Sequence, residues 1–277
     1  DFKEIYFTSG GSEADNQAII SAAKLGALRN KKHIISTKIE HHAVLHTLNK
    51  LEKEGFEITL LDVPENGVVN VEDVENAIRE DTALVTIMFA NNEIGTIEPV
   101  CEIGEIAHKH GILFHTDAVQ AMCHVPINVT EMNIDLLSAS AHKFHGPKGV
   151  GFMYMKNTAK LEPFIHGGAQ ERARRAGTSN VPGIVGMGQA VKIALCTLDK
   201  DTHTIINMCN YIVDRILGEI PDVTFDGPCI DANADINAVS ADLPMCSLKR
   251  LPSNMHFCFK DVSGDSLLIM LDMNGIC

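Results

Sequence analysis

Basic residues are scarce in this 277-residue sequence: 23 lysines and arginines stand against 36 acids, for a formal net charge of −13. No basic cluster is long enough to follow a phosphate backbone, so a nucleic-acid partner is not expected. No apolar stretch of membrane-spanning length is evident, and nothing signal-like opens the chain, so no membrane partner is expected and the cytoplasm is the default location. The eight cysteines, at 101, 123, 196, 209, 229, 246, 258 and 277, include no CxxC pair. That spacing argues against a disulfide framework and for reduced, mostly buried thiols. His42 and His46 stand at helical spacing, and His108 and His110 flank Lys109, but neither group has a third ligand at convincing spacing. No metal site is therefore assigned.

What is present points to an α/β architecture. At 45% hydrophobic and 21% charged residues, the chain can bury a substantial core and form one large domain plus part of another. Apolar strand-like runs alternate with amphipathic helical ones, which predicts a mostly parallel sheet with helices on both faces. Helices are expected over 15–28, 43–54, 71–78 and 100–110. A break is expected near 198–202, followed by a helix over 205–217, a strand over 254–259 and a helix over 265–273. The division is thus a large domain over 1–200 and a partial small α+β domain over 201–277. The stretch 227–251, with Pro228, Asn233, Asn237 and Pro244, reads as a surface loop or insertion without assigned function.

Five segments carry chemistry. Lys143 lies in Ser140-Ala141-His142-Lys143-Phe144-His145-Gly146-Pro147, just past the apolar run 134–138. A lysine at a strand end, flanked by hydroxyl, imidazole and glycine, suits a Schiff base with pyridoxal phosphate, provided desolvation and nearby positive charge keep the amine neutral. The alternative is a surface lysine before a Gly-Pro turn. In Ile5-Tyr6-Phe7-Thr8-Ser9-Gly10-Gly11-Ser12, a strand ends in a small-residue turn that opens a helix. Free N–H groups and the helix dipole make such a turn an anion site, or Ser12 is an ordinary cap. The turn fits neither GxGxxG nor a Walker loop. In 112–120 a strand delivers Asp117 at its C-terminal end, where ligands of open parallel sheets bind. A carboxylate there can keep a pyridine nitrogen protonated, or it caps a helix; Gln120 follows and can reach the phenolic oxygen. The run 84–90 reads as a doubly buried strand ending in two amides, Asn91 and Asn92, where Asn-Asn-Glu-x-Gly can simply form a turn. Glu40, His41 and His42 follow a further strand, and His41 can stack on a flat cofactor and shuttle protons.

Together, in this order, these segments resemble the cysteine desulfurases of the NifS/IscS type, class V within the fold-type I pyridoxal phosphate enzymes. The resemblance continues through Gly167-Gly168-Ala169-Gln170-Glu171-Arg172 and Arg175-Ala176-Gly177-Thr178 to Gly264-Asp265-Ser266-Leu267-Leu268. It implies the three-layer α/β/α large domain of PLP-dependent transferases, and it implies roles. Lys143 would carry the cofactor and, with His41, the catalysis; His41 would stack on the ring and Asp117 would pair with its nitrogen. Asn92 and Gln120 would serve the substrate side and the phenolic oxygen. Gly11, Ser12, Ser140 and His142 would bind phosphate, and Thr178 would reach the phosphate of the other subunit in a homodimer. L-Cysteine would be the substrate, and a sulfur acceptor or iron-sulfur scaffold protein the partner. Selenocysteine lyase, class V aminotransferase and a non-catalytic cofactor-binding partner of a scaffold are the alternatives.

Two departures accompany the match. Members of that group follow a segment like Leu271-Asp272-Met273-Asn274-Gly275-Ile276-Cys277 with a Ser/Gly-rich loop holding the nucleophilic cysteine, then a substrate-binding arginine. They also carry some dozens of residues before the strand matching Ile5. The expectation is a piece of a longer protein or a degenerate copy, in which Cys277 is not the nucleophile and the chain alone holds cofactor without sustaining desulfuration.

Overall fold

The computed structural model describes residues 1–228 and 248–276. Its centre is a seven-stranded sheet built from β1 (Ile5–Thr8), β2 (His33–Thr37), β3 (Glu57–Leu61), β4 (Thr82–Thr86), β5 (Leu113–Asp117), β6 (Leu136–Ser140) and β7 (Gly151–Met155). The spatial order is β1-β7-β6-β5-β4-β2-β3. Strands β6, β5, β4, β2 and β3 run parallel, while β7 is antiparallel to both β6 and β1.

Successive strand side chains point to opposite faces. Ile34, Leu84, Leu136 and Met153 join one core, whereas Ile35, Val85, Leu137 and Phe152 join the other. Both faces must therefore be covered, and helices cover them. Helices α1 (Gly11–Ala27) and α2 (His42–Lys53) bury Ala18, Ile19, Val44, Leu48 and Leu51 on the first face. On the second lie α3 (Val71–Ala77), α4 (Val100–Lys109) and the long helix described below, with Val74, Val100, Ile103 and Ala107 inside. Four expected helices thus form within a few residues of their expected bounds, in the three-layer arrangement.

After a short α5 (Gln170–Ala173), helix α6 runs over Val181–Glu219 as one element of 39 residues. The break expected near 198–202 does not occur. The residues there, Leu-Asp-Lys-Asp-Thr, contain neither glycine nor proline. Lys200 and Asp201 are exposed, and charge alone does not interrupt a helix. The first half of α6, Val181–Leu198, is also long and apolar enough, by length and composition, to cross a membrane, which the sequence reading did not expect. Lys192 is its only charged residue. Packing explains part of this character, because Ile184, Met187, Ala190, Val191 and Ala194 lie against the sheet. Val181, Val185, Ile193 and Leu195 stay exposed.

Beyond α6 come β8 (Val223–Phe225) and β9 (Phe257–Phe259), an antiparallel pair, and α7 (Gly264–Met273). The expected strand over 254–259 is shortened to its last three residues. Most of the expected 227–251 loop, residues 229–247, lies outside the described residues, as do Cys229, Cys246 and Cys277. Cys123, Cys196, Cys209 and Cys258 are free thiols. Cys101 departs from the expectation of reduced cysteines, since it is disulfide-bonded.

Candidate active site

The C-terminal ends of β2, β4, β5 and β6 and the turn after β1 open onto one cavity of about 310 Å³. Gly11, Ser12, His41, Asn92, Asp117, Gln120, Ser140, His142 and Lys143 all line it, so nine of the ten residues singled out in the sequence come together. Thr178 does not. It borders a separate small cavity of about 70 Å³ with Ser9, Gly149, Glu171 and Arg175.

At the anion end, α1 begins without a side-chain cap on its first turn. The N-cap is Gly10, not Ser12, so the first-turn N–H groups remain available for an anion. Gly11 is required by close approach: a Cβ there would sit 2.5 Å from Val119 Cγ2. With Val119 in place, a side chain at position 11 would push the helix end away from the loop after Asp117. Across from it, Ser140 Oγ and His142 Nδ1 are hydrogen-bonded at 2.9 Å. Lys143 occupies a 3-10 turn (Ala141–Phe144) anchored by buried Phe144. Its carbonyl accepts from His124 Nε2 at 2.9 Å. The Lys143 side chain itself is exposed to the cavity, so the desolvation expected of it is not provided by protein atoms. Its position at the open end of the strand, needed for access by a carbonyl compound, leaves it in contact with solvent.

Asp117 ends β5, and its Oδ1 accepts the Val119 N–H at 2.9 Å. Burial pushes its carboxyl above the usual range, opposed by that N–H and by the charges of His41 and Lys143. His41 caps α2, with Nδ1 accepting the Ala43 N–H at 3.1 Å. In the neutral ring the proton then resides on Nε2. Asn91 and Asn92 divide their labour. The Asn91 side chain accepts the N–H groups of Glu93 and Ile94 at 2.8 and 3.0 Å and donates to the Ile39 carbonyl. It builds the turn that presents Asn92 to the cavity. The same turn is clasped from outside: Leu251 N–H donates to the Gly95 carbonyl at 2.7 Å, and Asn254 Nδ2 to the Asn92 carbonyl at 3.0 Å.

Sequence reasoning missed two buried acids. Asp15, one turn into α1, lines the cavity, and its Oδ1 has no hydrogen-bond partner. Burial, and then the nearby Asp117 charge, hold its carboxyl well above the ordinary range. Glu40 lies beneath His41, its Oε1 accepting from Thr37 Oγ1 at 2.8 Å and from the Met88 N–H at 2.9 Å, while Oε2 has no partner. Burial pushes it up to about 8, against those two hydrogen bonds. Asp15 sits at i+4 from Gly11 and is the one acid among the buried residues of α1; nothing local marks Glu40 as buried. Below Asp15, His115 hydrogen-bonds Thr86 and Ser138 at 2.8 and 3.0 Å, and burial pushes it down to about 3. It therefore remains neutral.

The model of the class-V aminotransferase family matches residues 1–277. The chain belongs to that family. Among curated class-V relatives, it is 52% identical over 276 residues to cysteine desulfurase IscS of Clostridium botulinum, an alignment that takes in 99% of this chain and 64% of the relative. The chain thus spans somewhat less than two thirds of that relative's length. Among solved structures, a NifS-like protein superposes with a TM-score of 0.89 at 36% identity, covering 100% of this chain and 70% of the other. A structure described as SspA in complex with cysteine gives a TM-score of 0.66 at 47% identity over 69% of this chain and 55% of the other. The chain accordingly shares its fold with that NifS-like structure.

Proposed function

We propose that this class-V chain is the cofactor-binding part of a pyridoxal phosphate-dependent cysteine desulfurase. The observation that carries the reading is the single cavity joining Lys143, Asp117, His41 and the uncapped start of α1. The residues fit the cofactor. An anion site at Gly11 and Ser12, supplemented by Ser140 and His142, suits a phosphate; a buried carboxylate at Asp117 suits a protonated ring nitrogen; Lys143 offers the amine. When bound, the cofactor supplies a ring that takes up electrons as the substrate loses its α-proton.

The chain's own residues would do the rest. Asp117, whose carboxyl burial raises while the Val119 N–H, His41 and Lys143 favour its charged form, would hold the ring nitrogen protonated. His41, oriented through Nδ1, would bear on the ring face and hold or move a proton at Nε2. Asn92 and Gln120 would contact the substrate side and the phenolic oxygen. The proposed overall reaction breaks the Cβ–Sγ bond of L-cysteine. Its sulfur bonds to a protein thiolate as a persulfide, and protons complete the methyl group of L-alanine. None of the cavity's lining residues is a cysteine among those described, and burial pushes the nearby Cys123 thiol up to about 11, so these thiols are not activated for that step.

We further propose a homodimer in which Thr178 serves the other subunit's phosphate. Supporting it, Thr178 stands outside its own chain's cavity, while Arg175 ties the same segment to α1 through Glu13 at 2.8 and 3.0 Å. The proposed sulfur recipient is an acceptor or iron-sulfur scaffold protein. The reading is tested by borohydride reduction and peptide mapping, which should place the cofactor on Lys143. Alanine and persulfide formation from cysteine by the encoded full-length protein then tests the reaction; label on another lysine, or cofactor without alanine formation, would refute it.

A further inference from the structure

The small sheet carries a second cluster of reactive side chains, remote in sequence from those of the cavity. In β8 and β9, Thr224 lies opposite Cys258 and Phe225 opposite Phe257. One step past β8, the Asp226 N–H donates to the His256 carbonyl at 3.0 Å. Side chains two apart on a strand share a face, so His256 and Cys258 project together, and the register sets Asp226 beside both. Phe257 and Phe259 point to the opposite face, where Phe257 packs on Phe225 at 5.2 Å between ring centroids.

His256 Nδ1 is 2.9 Å and Cys258 Sγ 3.1 Å from the same oxygen, Oδ2 of Asp226. The three donor atoms all lie within 4.8 Å of one another. The carboxylate is aimed by its neighbours. Thr224 Oγ1 donates to Oδ1 at 3.3 Å, and Arg250, stacked 4.2 Å over the Phe225 ring, donates to the Asp226 carbonyl at 2.7 Å.

We propose that Asp226, His256 and Cys258 form a binding site for a divalent transition-metal ion of the zinc type. The donor set decides the class of ion. One imidazole nitrogen, one thiolate and one carboxylate oxygen match zinc, whereas magnesium and calcium take oxygen donors. Bonds of about 2.0–2.3 Å in a tetrahedron hold donors roughly 3.3–3.8 Å apart. The two spacings to Asp226 Oδ2 are hydrogen-bond lengths, so those pairs need open by only a few tenths of an ångström, and the third pair already lies within 4.8 Å. Three protein ligands leave a fourth position, and Cys258 is exposed, so that position faces solvent and can take water or an external thiol.

The proton balance follows from the ligands. The thiol loses its proton as the sulfur–metal bond forms, and His256 shifts its ring proton to Nε2 so that the Nδ1 lone pair faces the ion. One proton is released per ion bound.

The test uses the chelator-treated full chain titrated with cobalt(II), read as difference spectra against the metal-free sample. The expected result is a thiolate-to-cobalt charge-transfer band that saturates at one equivalent, is displaced by one equivalent of zinc and releases one proton. Cys258→Ser should abolish the band and Asp226→Asn should weaken binding more than tenfold, with unchanged circular dichroism. Cys196→Ser, at an exposed thiol elsewhere, should change nothing. A missing band, a band that survives Cys258→Ser, or one lost with Cys196→Ser would overturn the site and leave a hydrogen-bonded Asp–His–Cys cluster only.

Discussion

Replacing Glu40 by glutamine should make the protein's stability less dependent on pH, and the size of the change follows from the site. Glu40 is buried, uses Oε1 to accept from Thr37 and Met88, and has no partner for Oε2. Its carboxyl shifts from 4.5 to about 8 on folding, chiefly through burial. An acid with a raised folded pKa binds its proton more tightly in the fold. Its destabilising effect is thus absent below the unfolded value, grows as pH rises from about 4.5, and levels off above about 8. At pH 7 the unfolded chain has ionised this group while the fold keeps it protonated, a difference of roughly 3 kcal/mol; at pH 4 it is near zero. Glutamine copies the protonated form, with its oxygen on Thr37 and Met88. Its second amide hydrogen adds a pH-independent cost on the order of 1 kcal/mol, which shifts the curve without tilting it. Urea unfolding of cofactor-free wild type and Glu40→Gln from pH 4 to 8 should show the variant gaining about 4 kcal/mol relative to wild type across that range. Parallel curves would show that Glu40 is ionised or hydrated in the fold, and the reasoning about its burial would fail.

Other perturbations separate structure from chemistry. Asp117→Asn should keep some cofactor, read by its visible absorption, yet lose most alanine formation in the full-length protein; near-normal turnover would reduce Asp117 to a cap for Val119. Gly11→Ala should cost about 1–3 kcal/mol by overpacking against Val119 and weaken cofactor binding, and Val119→Ala in the same chain should restore both; failure of that rescue in thermal and binding titrations would move the close contact elsewhere. Phe114→Ala, at a fully buried ring in the core between sheet and α4, should cost about 3–5 kcal/mol in denaturant unfolding, and a loss under 1 kcal/mol would mean that the site collapses around the gap. Lys143→Ala should abolish borohydride labelling while leaving the unfolding midpoint of the cofactor-free protein nearly unchanged, because the side chain is exposed; a large loss of stability would assign it a structural role.

The seven-stranded sheet and its covering helices were legible because their signals are local. Doubly apolar runs such as 84–90 and 134–138 read as buried parallel strands, and the chemistry follows directly at their C-terminal ends. Asp117, Asn92, His41 and Lys143 could therefore be marked before any contact was known. Signals that depend on distant pairing were not legible. Glu40 resembles any polar residue before a helix until the strand-end turns place Met88 over it. Thr178 belongs to a recognisable segment, but its position beside Ser9 depends on the Glu13–Arg175 ion pair. The charged stretch within α6 imitated a break because polarity and helix termination are separate properties. Asp226 lies 30 positions from His256, a separation at which no spacing rule operates; β-sheet register alone unites them.

The clasp on the Asn92 turn has a consequence for synthesis. Most of the cavity is encoded between Gly11 and Lys143, yet the contact that secures Asn92 comes from Asn254, 162 residues later in the chain. As the chain leaves the ribosome, sheet and helices can begin to close around Asp117 and the start of α1 while the Asn91–Gly95 turn still lacks its outer brace. A nascent chain would thus acquire its anion end first and its substrate wall last, and only translation through residues 249–254 would complete the pocket.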